Sequence, residues 1–274
     1  MSSMAKQTLL LALLAACGSA EAQPKRTPAA PPPPNEPLFD VDTQAVAPPA
    51  AGSQLDSMLK SLHVRVCVRA DVAPFASFGD RGLRGFDIAL ATEIIDQLSI
   101  DHKQALTPTW VVVSAAERMK RLQDGACDFM VAAFSLTPDR AQQLATSKVY
   151  LRADKVLLSA SKITRKQPVV AQLEGATAPA GITGTPRTFR TYQDIIHAMD
   201  MGEIDHVATD RPIAEHLMRS SVTSFAISKT LAANAESYVV AAAKPNRALA
   251  AEIDRALTTL AYSGRLALLE RRWL

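Results

Sequence analysis

The sequence predicts an α/β protein whose folded part is two lobes, each a doubly wound, mostly parallel sheet. Three observations predict it. From about Leu55 onward, short β-branched apolar segments alternate with segments of helical spacing, the pattern of parallel α/β sheets. One unit, helix–Gly–x–x–Asp–apolar strand, occurs twice, as LQDGACDFMVAA ending at Ala133 and as AMDMGEIDHVAT ending at Thr209. That repetition asks for two similar lobes rather than one sheet. The 274 residues, 48% hydrophobic and 21% charged, are ordinary globular values for one or two domains.

Residues 1–22 read as a signal peptide: one early lysine, then an apolar run too short to span a bilayer. Two processing readings stand. Leu14–Cys17 has the form of a bacterial lipobox, making Cys17 the acylated first residue of a lipoprotein; Ala20-Glu-Ala22 is a small-x-small cleavage site before Gln23. Both export the chain, and membrane contact is expected only through a lipid anchor. Residues 23–54 are rich in Pro and Ala with no periodicity, an extended tether.

Leu62–Val68 alternates and reads as a strand. Phe86–Leu98 places Ile88, Ala91, Ile94, Ile95 and Leu98 on one helical face. Trp110–Val113 is a strand, Ala115–Gln123 a helix stopped by Gly125, and Asp128–Ala133 a buried strand. Tyr150–Ala160 is a further strand. Thr191–Met201 is a helix followed by Gly202, and Ile204–Thr209 a strand ending at Asp210. Ser237–Ala243 is a strand, Arg247–Tyr262 a helix broken by Gly264, and a last helix reaches Trp273.

The stretch FSLTPDR carries the first functional hint. Thr137 suits an N-cap, Pro138 the first helical position and Asp139 the first turn. Arg140 falls in that same turn, where a cation opposes the helix dipole. An arginine placed at that cost, at the carboxyl end of a strand and beside helix N–H groups, points to an anionic ligand, and its planar guanidinium suits a carboxylate. The plainer alternative is an internal ion pair or a solvated side chain.

These segments in register (RADVAPF with GFDIALA, LQDGACDFMVAAFSLTPDRAQQL with KVY, MGEIDHVATD, and AYSGRLALLERRW) resemble the bacterial extracellular solute-binding proteins of family 3, the polar amino-acid type, from about Leu62 to Leu274. The resemblance implies the type II periplasmic binding protein fold: lobe one at about 55–153 and 237–274, lobe two at about 154–236, hinge strands between. It implies a periplasmic protein that captures a small carboxylate, an amino acid or related acid, for an ABC permease. By the family pattern Arg140 pairs with the ligand carboxylate, Ser135 adds a contact, Asp210 meets an α-ammonium (or simply caps the following helix), and Thr185 in ITGTP matches a Gly-Thr turn.

Three departures are visible. Val72 and Ala115 stand where the family has aromatic rings around the ligand, which suggests a wider pocket, another ligand or none. Arg69 replaces a common small or acidic residue, adding a cation near Arg140 that favours a more anionic ligand such as a dicarboxylate, or else marking a solvated strand end; Arg69 and Asp71 join the ligand-binding candidates. The segment from Thr185 to Tyr192 is short, as though lobe two lacked one helix and one strand.

Cys67 and Cys127 lie on strands expected to be neighbours; in an exported protein they form either a disulfide or two buried thiols. Cysteines at these places also resemble those of binding-protein-like accessory proteins of periplasmic methanol dehydrogenases, so an adaptor for a periplasmic enzyme is the alternative function. A cyclohexadienyl-type dehydratase is a third, resting on Asp210 or Asp71 as the acid. No catalytic motif, cofactor fingerprint or metal spacing is visible around the five histidines, so no enzyme activity, cofactor or metal is expected. A net charge of +3 and 5% aromatic content give no footprint for nucleic acid.

Overall fold

Alternation of strand and helix produces two five-stranded sheets of the same design. The computed structural model describes residues 48–177, 181–231 and 235–274; the expected signal peptide, Cys17 and the tether as far as residue 47 lie outside them. The first helix among the described residues is α1 (Gln54–Ser61), capped by Ser53, whose Oγ accepts from Asp56 N at 3.1 Å. Its apolar face (Leu55, Met58, Leu59) is buried, so the folded part starts at the edge of the expected tether.

Sheet one contains β1 (His63–Val68), β5 (Thr107–Val112), β6 (Phe129–Met130), β7 (Leu144–Ala153) and β13 (Glu236–Ala243), in the order β5-β1-β6-β13-β7. β5, β1 and β6 are parallel, and β13 runs antiparallel to both β6 and β7. Helices α2 (Phe86–His102), α7 (Arg247–Tyr262) and α8 (Arg265–Trp273) cover it with Ile94, Leu98, Ile253 and Leu260, all buried. Sheet two contains β8 (Lys155–Ala160), β9 (Val169–Leu173), β10 (Thr185–Phe189), β11 (His206–Asp210) and β12 (Phe225–Thr230), in the order β10-β9-β11-β8-β12. Again three neighbouring strands, β10, β9 and β11, are parallel, and one strand, β8, runs antiparallel to both of its neighbours, β11 and β12. Helices α5 (Tyr192–Asp200) and α6 (Arg211–Ser220) pack on it.

The sequence repeat has a structural counterpart. α3 (Arg118–Gln123) leads through Gly125 to β6, and α5 leads through Gly202 to β11, both glycines at positive φ. The repeated Asp does one job in each lobe. Asp128 Oδ2 accepts from Arg65 N on β1 at 2.7 Å and its Oδ1 from the Arg65 guanidinium at 2.6 Å. Asp205 Oδ2 accepts from Val169 N on β9 at 2.8 Å and its Oδ1 from Arg165 at 2.9 Å. Each buried carboxylate thus pins the start of one parallel strand to its neighbour, its charge met by an arginine.

Several expected elements are redrawn. Tyr150–Ala160 is not one strand: β7 ends at Ala153 and β8 begins at Lys155, because the chain crosses from sheet one to sheet two at Asp154. The strand expected over Asp128–Ala133 is regular only at Phe129 and Met130, and Ala133 has φ +44°. The helix expected from Ala115 starts at Arg118. In lobe two β10 follows β9 in parallel register, and the connection between them contains no helix among the described residues. A hairpin sheet, β2 (Asp71–Val72), β3 (Ala76–Gly79) and β4 (Gly82–Arg84), gave no legible period.

Cys67 and Cys127 form a disulfide with Cα atoms 5.6 Å apart. Cys127 lies in the turn just before β6, whose Met130 pairs with Cys67 across the ladder. The turn brings the offset residue within bridging distance.

Candidate ligand-binding site

A cluster of aromatic rings is buried in the core and anchors two of the acids near the cleft. Phe75 meets Phe86 edge-on at 6.1 Å and Tyr238 at 5.3 Å, and Tyr150 stacks on Phe86 at 6.0 Å. The two tyrosines turn their hydroxyls to buried acids. Tyr150 donates to Asp87 Oδ1 at 3.3 Å, and Tyr238 donates to Asp210 Oδ2. Asp87 is placed by the turn before α2, where a side chain on Gly85 would collide with the Phe75 carbonyl. Its Oδ2 accepts from Ala133 N at 2.6 Å, fixing the residue whose left-handed backbone turns the chain off β6 and towards Phe134 and Ser135. Burial pushes the Asp87 carboxyl up to about 6, against the hydrogen bond from Ala133.

Arg140 sits where the sequence placed it, in the first turn of α4 (Pro138–Gln143), with Thr137 as N-cap accepting from Arg140 N. Its guanidinium lies over the Phe134 ring at 4.4 Å and donates to Ser135 O at 2.9 Å and Gly175 O at 3.1 Å. None of these partners is a carboxylate. Arg118, at the first position of α3, shares the arrangement. It lies over the same ring at 5.0 Å and donates to Ala132 O at 2.5 Å, Ala133 O at 3.1 Å and Gly175 O at 3.3 Å. It is buried, and its Nε has no hydrogen-bond partner among the described residues. Burial, then the charges of Arg69 and Arg140, bring its pKa down to about 9, and burial lowers that of Arg140 as well.

Arg69 is buried at the cleft wall, over the Tyr192 ring at 5.6 Å, but its charge is committed: Nε and Nη2 both donate to Asp71, at 2.9 and 2.8 Å. The expectation that Arg69 adds free positive charge is corrected, and Asp71 is its partner rather than a free acid. Ser135 is buried in the cleft lining. Thr185 is exposed at the start of β10, paired with Val169, and is not brought to the cleft. The turn that does reach it is Gly175-Ala176-Thr177, at the end of β9.

Asp210 ends β11 and precedes α6 without capping it through its side chain. Besides Tyr238 it faces Lys155, whose Nζ lies 3.4 Å from Asp210 Oδ1. Lys155 Nζ also lies 2.8 Å from Glu236 Oε1 and donates to Thr177 O and Oγ1, each at 3.1 Å. Burial raises the Asp210 pKa, with Lys155 opposing. Burial also works against the Glu236 carboxylate, yet Lys155, Ser135 and Thr177 together hold it below its ordinary range. Lys155 and Glu236 open the two strands that follow the crossings between sheets, so this ion pair sits at the pivot.

The cavity enclosed by Arg69, Arg118, Ser135, Lys155, Thr177 and Asp210 measures about 20 Å³, room for about one water rather than a typical small-molecule pocket. Ala115 explains the tightness. With no ring there, its backbone lies against Gly175, where an added Cβ would stand 2.5 Å from Ala115 O. The wider pocket expected from Val72 and Ala115 is not what the cavity shows. Lys155, Arg118 and Asp87 escaped the sequence reading; Arg118 carried the signal that exposed Arg140, a cation in a helix's first turn. His206, at the far end of β11, bonds Ser159 at 2.7 Å.

Two mixed sheets joined by crossing strands, with buried charge converging between them, define a two-lobed binding protein. Residues 64–274 match the family model described as bacterial extracellular solute-binding proteins, family 3, and the chain belongs to that family. It is 27% identical over 204 residues to the ABC transporter glutamine-binding protein GlnH of Bacillus subtilis, covering 70% of this chain and 73% of the relative. An ABC uptake transporter substrate-binding protein from Streptococcus pneumoniae with bound histidine superposes with a TM-score of 0.70 at 18% identity, covering 82% of this chain and 97% of that one. The ancestral amino acid-binding protein AncCDT-1, a precursor of cyclohexadienyl dehydratase, does so at 0.67 and 22%, covering 81% and 99%. These structural likenesses establish the fold. No helix among the described residues is long and apolar enough to cross a membrane.

Proposed function

We propose that this protein is the periplasmic capture component of an ABC transporter and holds a small carboxylate between its lobes for delivery to a permease. The observation that carries the reading is the pair Arg118 and Arg140, stacked on one ring at the cleft and donating only to backbone carbonyls. A guanidinium pair without an acid is suited to a carboxylate arriving from outside. The roles of the relatives, glutamine binding for an ABC transporter among them, support the transport setting. In this reading Ser135 and Thr177 line the ligand, the lobes part and close about the pivot at Asp154, and a lipid on Cys17 with its Pro/Ala-rich tether holds the domain near a membrane. Capture, not turnover, is the activity.

The test is thermal unfolding of the full chain against a panel of amino acids, hydroxy acids and dicarboxylates. A ligand at a hundred times its dissociation constant stabilises by about 2.7 kcal/mol. The reading expects at least one carboxylate to do so and Arg140→Ala to abolish the shift. A well-folded protein that answers none of them would overturn it in favour of an adaptor that uses its surface.

A further inference from the structure

We propose that the cleft selects a carboxylate carrying no amino group, because Lys155 already occupies the seat a ligand's ammonium would need. The inference rests on the carboxylate reading above and narrows its ligand class.

Apart from Asp71, which is spent on Arg69, two carboxylates line or border this cavity: Asp210 and Glu236. Both face Lys155 Nζ, at 3.4 and 2.8 Å, and Thr177 supplies two further acceptors to the same ammonium. Lys155 is 3% exposed, so its charge is held by these contacts and not by solvent. Asp210 Oδ1 has no hydrogen-bond partner among the described residues, but Lys155 Nζ stands 3.4 Å from it, so a second ammonium entering here would meet a buried cation already facing the same acids. It would have to expel Lys155 and leave that charge unpaired, a cost of the kind that breaks buried ion pairs.

The opposite wall has the reverse imbalance. Arg118 and Arg140 are buried or half-buried cations whose partners are neutral carbonyls, and Arg118 Nε, buried, has none among the described residues. One wall therefore holds an internal cation between two carboxylates, and the other holds two guanidiniums bonded to carbonyls alone. A zwitterion suits the second wall and brings an ammonium to the first. A 2-oxo acid, a hydroxy acid or a dicarboxylate suits the second and brings none.

The experiment is isothermal titration of the full chain with matched pairs that differ only in the amino group: glutamate against 2-oxoglutarate and 2-hydroxyglutarate, aspartate against malate and succinate. The expected result is at least tenfold tighter binding of the amino-free member of the responding pair. Lys155→Met, checked for an intact unfolding transition, should shrink or invert that ratio. Should that variant fail to fold, the wild-type ratios decide alone. Amino acids binding as tightly as their deaminated partners would overturn this inference and leave the carboxylate reading standing. No binding by any acid of either kind would overturn both.

Discussion

Gly175→Ala separates closure of the lobes from the stability of each lobe. Gly175 has φ +73°, and an added Cβ would lie 2.5 Å from Ala115 O and 2.7 Å from both Ala115 C and Ala116 Cα. Every one of those atoms is backbone, so no side chain can turn aside. Ordinary contact begins at 3.4 Å, and the lobes must part by about 0.9 Å at this point to reach it. The carbonyl of Gly175 then moves beyond reach of Arg118 and Arg140, now 3.3 and 3.1 Å away. Charge-assisted hydrogen bonds contribute about 1.5–3 kcal/mol when buried, and less for the exposed Arg140 contact. Losing both costs the closed form about 2 kcal/mol, roughly a 30-fold shift towards open. The left-handed penalty of about 1–2 kcal/mol falls on both forms and lowers overall stability only. Spin labels at Lys120→Cys on α3 and Lys162→Cys after β8 report the interlobe distance. The Gly175→Ala protein should show a longer, broader distribution than wild type while unfolding in one cooperative transition. A wild-type distribution in a folded Gly175→Ala protein would refute the claim that Ala115 and Gly175 set the closed geometry.

Three further outcomes follow from the same coordinates. Replacing both Cys67 and Cys127 by alanine opens a cross-link spanning 60 residues, and loop entropy puts the loss at about 4 kcal/mol; a drop under about 1 kcal/mol in urea unfolding would mean the bridge contributes little. Asp87 has a carboxyl raised from 3.8 to about 6 in the fold. The native state then holds the proton more tightly than the unfolded chain, so this stabilisation is full below about pH 3.8 and is lost as pH rises through about 6. Going from pH 7 to pH 5 should therefore stabilise wild type by about 1 kcal/mol more than Asp87→Asn, and equal increments in both would remove Asp87 from the account. Asp205→Ala should loosen lobe two by freeing Val169 N and leaving Arg165 without its carboxylate; hydrogen exchange should quicken in β9 and β11 and stay unchanged in β1.

The two-lobe design was legible because its signal is local and repeated. Gly125 with Asp128, and Gly202 with Asp205, mark the same helix-to-strand turn twice. The cap at Thr137 and the position of Arg140 were legible for the same reason: a helix start is written within four residues. What escaped was set by distant chain. The break at Asp154 inside an unbroken apolar run belongs to the crossing between sheets, which no local period encodes. Thr185 looked like the cleft turn because ITGTP carries the Gly-Thr pair, but the β9 register puts Gly175 and Thr177 there instead. Arg69 read as a ligand-facing cation because its pairing with Asp71 depends on a hairpin without periodicity. Lys155 reads as an ordinary strand-opening lysine until Asp210 and Glu236, far along the chain, close around it.

The order of strands in sheet one bears on the order in which the lobes are completed. β13 lies between β6 and β7, yet it is the last strand to be made. A chain delivered N-terminus first presents the facing edges of β6 and β7 with no strand between them until residue 236 arrives, after all of sheet two. Sheet two draws on one continuous stretch, Lys155–Thr230, and has every strand it needs by then. Lobe one is therefore the lobe completed last, closed by a strand that arrives only after every strand of lobe two is present.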